Sequence, residues 1–186
     1  MKSFMISCIF FLLISTFTSF SQPGNLFYSE DGHVDFISDA PLEMIKASSE
    51  KLAGILNVDD RSFTFSIPMT SFEGFNSALQ RTHFNENYME SEIFPNTTFN
   101  GKVIEEVDFT RPGDIRIRAK GQLLIHGIAQ DRIIRCDVKV DQSSIEVNAD
   151  FTVPLDDHDI TIPGIVQQKI AEIIDVKIWF TMKPMN

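Results

Sequence analysis

The chain has 186 residues, with 26 acidic against 16 basic side chains and a formal net charge of −10. That balance argues against nucleic acid, whose phosphates reward Lys and Arg, and against an anionic membrane surface. Two cysteines, Cys8 and Cys136, are too few for a disulfide framework.

The first segment reads as a targeting sequence. After Lys2 there is no charge from Phe4 to Phe20, and Phe10 to Ile14 form its apolar heart. Ser19 and Ser21 then supply small residues at the spacing a signal peptidase reads, so cleavage is expected between Ser21 and Gln22. The run is short for a membrane span and lacks a charged stop, so no stable anchor is expected. Cys8 lies inside the run, away from any lipoprotein cleavage point. Removing residues 1–21, with Lys2 their only charge, leaves 165 residues at formal charge −11. That length suits one domain with a substantial core. Only Cys136 remains, so no intrachain disulfide staples the mature fold.

Period-two alternation dominates the mature chain. Weak strand patterns lie near 26–30, 33–38, 42–47 and 52–58. Ser62–Met69 is stronger and puts Phe63, Phe65, Ile67 and Met69 on one face. A helix is then expected with Asn76 as its cap. Its stripe holds Phe75, Leu79, His83 or Phe84, and Tyr88. Another weak strand is expected near 97–104. Ile115–Ile125 alternates most clearly: Ile115, Ile117, Ala119, Gly121, Leu123 and Ile125 share one face, and Arg116, Arg118 and Lys120 the other. Gly121 inside this row suggests a bend or a close approach. Gly127 marks a tight turn, so 115–125 and 128–140 read as a hairpin. Residues 134–140, 145–153 and 174–182 repeat the alternation. Between the last two, Pro163-Gly164 opens a short helix expected over Ile165–Glu172. The count is about nine or ten antiparallel strands, the pattern of an all-β barrel or sandwich.

No converging set of catalytic groups emerges. There is no Gly-x-Ser-x-Gly elbow, no His-Glu-x-x-His, no Gly-rich phosphate loop and no Cys pair for a metal. His33, His83, His126 and His158 are far apart. Asp156-Asp157-His158-Asp159 is the densest polar cluster, but it lacks the spacing of a calcium loop and reads as a solvated turn. His83 reads as a core or rim residue, and Cys136, in an inward row, as an inert small hydrophobe. Trp179 falls on the polar face of the last strand, half covered. Asn96-Thr97-Thr98 matches a glycosylation acceptor and carries little weight without a known cell type. No catalytic residue, metal or cofactor is expected, and the chain is not expected to be an enzyme.

Three blocks resemble the YceI-like family. The run His83–Gly101 passes from a helix into Pro95-x-x-x-Phe99-x-Gly101. Gly121-Gln122-Leu123-Leu124-Ile125-His126-Gly127-Ile128 is similar to that family's hairpin. Phe151–Pro163 followed by Ile170–Val176 is similar to its C-terminal block. The resemblance implies an extended, lipocalin-like antiparallel barrel of about eight strands, exported to the periplasm. It implies a bound polyisoprenoid or quinone-type lipid in an apolar interior. The chain departs from the family pattern at Leu155–Ile160, where an Arg-x-x-aromatic-Gly stretch is usual.

An eight-stranded barrel is either filled by side chains or holds one ligand. Twelve Phe remain after residue 21. Phe63, Phe65, Ile67, Phe99, Leu123, Ile125 and Phe151 are expected to line the interior, with Phe84 and Tyr88 covering one end. The same residues suit a solid core, so an exported lipid carrier stands against a ligand-free barrel that serves stress response or protein interaction. A hydrolase or metal enzyme on the same scaffold is a third reading, disfavoured by the missing motifs.

Overall fold

A computed structural model describes residues 25–185. The signal-peptide segment and its Ser21/Gln22 junction lie outside the described residues. Eight strands form one closed antiparallel barrel. They are β1 (Leu26–Asp39), β2 (Met44–Asn57), β3 (Ser62–Pro68), β4 (Asn96–Val103), β5 (Gly113–Ile125), β6 (Ile128–Val140), β7 (Ile145–Pro154) and β8 (Ile173–Pro184). Each pairs with the next, and β8 closes on β1. One short helix, α1 (Ala78–His83), interrupts the meander.

The barrel corrects the expected count of nine or ten strands. The weak segments 26–30 and 33–38 are one strand, and so are 42–47 and 52–58. In β1 the inward row runs through Phe27 and Ser29, then resumes at Gly32 and Val34. In β2 it runs through Ala47 and Ser49, then resumes at Leu52. The β1–β2 register shifts at the same level, between Ser29 and Val34. An extra residue in each strand flips the face on which the next side chains point. The polar Glu30-Asp31 and Glu50-Lys51 therefore resemble turns while the strands continue through them.

The hairpin expected at Gly127 is present. His126 and Gly127 both take left-handed φ, +50° and +75°, the conformation of a two-residue I′ turn. His126 tolerates it because its ring is held on both sides. Nδ1 lies 3.1 Å from the His158 carbonyl, and Nε2 lies 2.7 Å from the Glu90 carboxylate. Gly121 supplies the close approach that its place in the row suggested. It sits opposite Gly101 of β4, and a Cβ on either would fall within 2.2 Å of a backbone oxygen across the ladder.

Both helix expectations need correction. α1 is capped by Ser77, whose hydroxyl accepts from the Gln80 amide, and not by Asn76. Asn76 instead donates to the Met44 carbonyl at 2.9 Å. Leu79 leaves the apolar stripe and is 62% exposed. The chain continues past His83 in a wider turn over Phe84–Tyr88, which turns Phe84 and Tyr88 onto the core. The helix expected over Ile165–Glu172 is a single tight turn, Gly164–Val166. Its continuation is held in place by the β1–β2 connection and by β1: Leu42 N donates to Gln168 O, and Ala171 N donates to the Ser38 hydroxyl.

Alternating strand direction sorts the connections between the two ends. The upper end carries 40–43, 69–95, 126–127 and 155–172; the lower carries 58–61, 104–112 and 141–144. The lower end is closed over. Phe109, from its longest connection, is 3% exposed, and Val140, Ile145 and Met182 at the same end are buried.

Outside the wall, His33 of β1 lies flat on Trp179 of β8, with ring centroids 3.7 Å apart. Its nitrogens face Asp35 on its own strand and Glu50 on β2, while Lys177 of β8 pairs in register with Asp35. Burial opposes the charged ring, but the two carboxylates outweigh it and raise the pKa above 6.5. His158 is the opposite case. It is wholly buried, with Nδ1 donating to Ile128 O at 3.0 Å, and burial, reinforced by Arg132, lowers its pKa. The expected solvated turn at 156–159 is thus anchored by one buried ring.

These shifts give opposite pH dependences. The raised His33 contributes stability that is full below its unfolded pKa and fades as pH rises through its folded pKa. The lowered His158 contributes stability above its unfolded pKa that fades as pH falls through its folded one. Thermal midpoints between about pH 5 and about pH 8, where histidines titrate, should show both limbs. His33→Gln should flatten only the alkaline limb, and His158→Gln only the acid limb. An unchanged alkaline limb in His33→Gln would contradict the raised pKa of His33.

Candidate functional site

The barrel interior is not filled. A cavity of about 400 Å³ runs down from the upper end. It falls within the range of ordinary ligand pockets, about 300–1,000 Å³. Its wall is the inward row of every strand, because alternation delivers one side chain in two to the axis.

All nine residues expected to line the interior border this cavity: Phe63, Phe65 and Ile67 from β3, Phe84 and Tyr88 from the wide turn, Phe99 from β4, Leu123 and Ile125 from β5, and Phe151 from β7. Midway, Phe63 meets Phe99 at 5.0 Å and Phe65 meets Phe180 at 4.8 Å between centroids. At the upper end Phe36 and Phe84 stack at 5.4 Å, and Phe72 and Phe75 lean on the same pair. Burial also pushes the Tyr88 phenol above its ordinary range.

Sequence reasoning missed Phe36, Phe72 and, apart from His83, which it read as a core or rim residue, the polar residues of the mouth. Phe180 stood in the alternating row of β8 and was legible; Phe36 comes after the β1 bulge, and Phe72 lies in a loop with no period. Glu43, Gln80, His83 and Lys169 border the cavity from three separate connections, and Gln80 donates to Glu43. Of the residues bordering the cavity, only His83 and Lys169 are exposed, and both belong to the upper end. The opening is therefore there.

The wall offers little to catalysis. Cys136 borders the cavity, but burial, with the Asp137 and Glu105 carboxylates adding to it, pushes its thiol up to about 12. Such a group stays protonated and weakly nucleophilic. Among the described residues, no group of three or more His, Cys, Asp and Glu is arranged to hold a metal ion. Nor is any helix among them long and apolar enough to cross a membrane.

Comparison with solved structures agrees on the barrel. The polyisoprenoid-binding domain from Saccharophagus degradans implicated in plant cell wall breakdown superposes with a TM-score of 0.72 at 11% identity, covering 87% of this chain and 99% of that one. Burkholderia cenocepacia BcnA gives 0.67 at 13%, covering 81% and 95%. The Campylobacter jejuni YCEI protein gives 0.54 at 12%, with both chains fully covered. At these identities the likeness establishes the fold. No curated protein sequence matches the chain. The YceI-like domain, as a sequence family, matches residues 29–182, from the fourth residue of β1 almost to the end of β8. With that match over most of its length, the chain belongs to the YceI-like family.

Proposed function

We propose that the protein is an exported carrier that holds a polyisoprenoid or quinone-type chain in its barrel. One observation carries the reading: an apolar cavity of about 400 Å³ that opens at one end and is closed over by buried side chains at the other. Each methylene moved from water into such a wall gains about 0.8 kcal/mol. A chain of about ten carbons gains about 8 kcal/mol before the cost of immobilising it. The sparse polar groups lie at the mouth, so an unbranched or methyl-branched chain fits inside with any polar head near Glu43, Gln80 and Lys169. The polyisoprenoid-binding function named for the Saccharophagus domain supports the same ligand class. Binding without chemistry is the natural role of a wall whose one thiol is held protonated.

A ligand-free interaction module would have no use for the open interior, and nothing specific favours it. Native mass spectrometry of protein purified from its own host is expected to show one co-purified apolar lipid per chain. Protein that is uniformly empty and takes up no prenyl lipid would refute the carrier. Export rests on the apolar run before Ser21. N-terminal sequencing of the exported protein should begin at Gln22, and an intact Met1 would refute cleavage.

A further inference from the structure

We propose that the rim of the cavity mouth docks on the surface of a neutral lipid bilayer, so that ligand passes between bilayer and barrel without crossing water. This rests on the carrier reading above. Three connections form the rim: 40–44, α1 with its cap, and 163–173. They are tied together by Leu42 N to Gln168 O, Gln80 to Glu43, and Asn76 to Met44 O.

Each connection presents a large apolar side chain to solvent: Leu42 at 66%, Leu79 at 62% and Ile165 at 93% exposure. Each stands immediately before a residue that borders the cavity, namely Glu43, Gln80 and Val166. The exposed apolar side chains thus stand beside the mouth of the apolar interior, as scattered surface hydrophobics do not. A partner that meets both at once is itself apolar behind a thin polar layer.

Charge selects among bilayers. The chain as a whole carries −10. Its three rim segments nevertheless hold two acids, Glu43 and Glu172, against two bases, Arg81 and Lys169. The rest of the upper end adds Glu73, Glu86, Glu90, Glu92, Asp156, Asp157 and Asp159 with no further Lys or Arg, so anionic lipid repels this face while a zwitterionic surface, without net charge, does not. With no basic excess it has no electrostatic hold on anionic lipid. Insertion of Leu42, Leu79 and Ile165 supplies the attachment, which scales with buried apolar area.

The test compares the mature chain with a Leu79→Asp/Ile165→Asp variant by flotation on phosphatidylcholine vesicles. A second arm measures binding of a short, water-soluble fluorescent prenyl probe without vesicles. Wild type should float, and high salt should not release it, since the contact is apolar. The variant should partition roughly a hundredfold less while binding the probe as wild type does. Both substitutions are at exposed positions, so an unchanged thermal midpoint is expected. Wild type that stays in solution, a variant that floats equally, or release by salt overturns the proposal. Rim-dependent self-association without flotation assigns the surface to a second copy and overturns it too. The arms separate the two readings: probe binding without flotation overturns docking and keeps the carrier. Flotation without probe binding supports docking and overturns the carrier.

Discussion

Leu123→Trp should abolish binding of a prenyl probe while moving the thermal midpoint by only a few degrees. Leu123 is 4% exposed, borders the cavity, and lies opposite Phe99 on the neighbouring strand. In a close-packed core, added ring volume would cost about 1–3 kcal/mol. For a domain of this size each kcal/mol lowers the midpoint by about 2–4 °C. Here the indole has space to enter, so it takes the ligand's place at little cost. Arg135→Ala, on the outer face of β6, is the control and should change neither quantity. A fall of about 10 °C in Leu123→Trp, together with wild type that never binds the probe, would mean the interior is effectively filled.

Gly121→Ala should be far more damaging than its single methyl suggests. The new Cβ would lie 2.2 Å from the Asn100 carbonyl oxygen and 2.9 Å from the Gly101 Cα. Both obstacles are backbone, so no side chain can swing aside, and β4 must separate from β5. The cost should exceed the ordinary overpacking range of about 1–3 kcal/mol and lower the midpoint by more than about 10 °C. Gly164→Ala is the matched control, with nothing within 4 Å of its added Cβ. Equal midpoints for the two variants would show that β4 and β5 are not in such close contact.

Legibility depends on how far one alternating phase persists. From β5 to β8 the phase runs unbroken, and every inward residue read from the sequence faces the interior. In β1 and β2 paired bulges reverse it, so two long strands looked like four short ones. Ile165, Val166 and Ile170 imitate a helical stripe. Yet the segment is bound to Leu42 and Ser38, and tertiary hydrogen bonds decide its shape. The cavity wall was legible because period two reports a face. The mouth was not, since Glu43, Gln80 and Lys169 meet only when distant connections fold over one end. No local pattern distinguishes an open barrel from a filled one, because the same phenylalanines serve both.

The last strand pairs on both sides, with β7 and with β1, and Phe27 lies opposite Pro184. Closure therefore joins the two extremities of the barrel, and no cylinder exists until β8 has been made. Contacts of such long sequence separation form slowly, because the entropy of bringing the ends together must be met before the pairing rewards it. Until then β1 and β7 are unpaired edges and the apolar row of β8 has no counterpart. A nascent chain of this topology cannot close its barrel before β8 has emerged. Until then it has no closed cylinder to resist threading, which suits the proposed export.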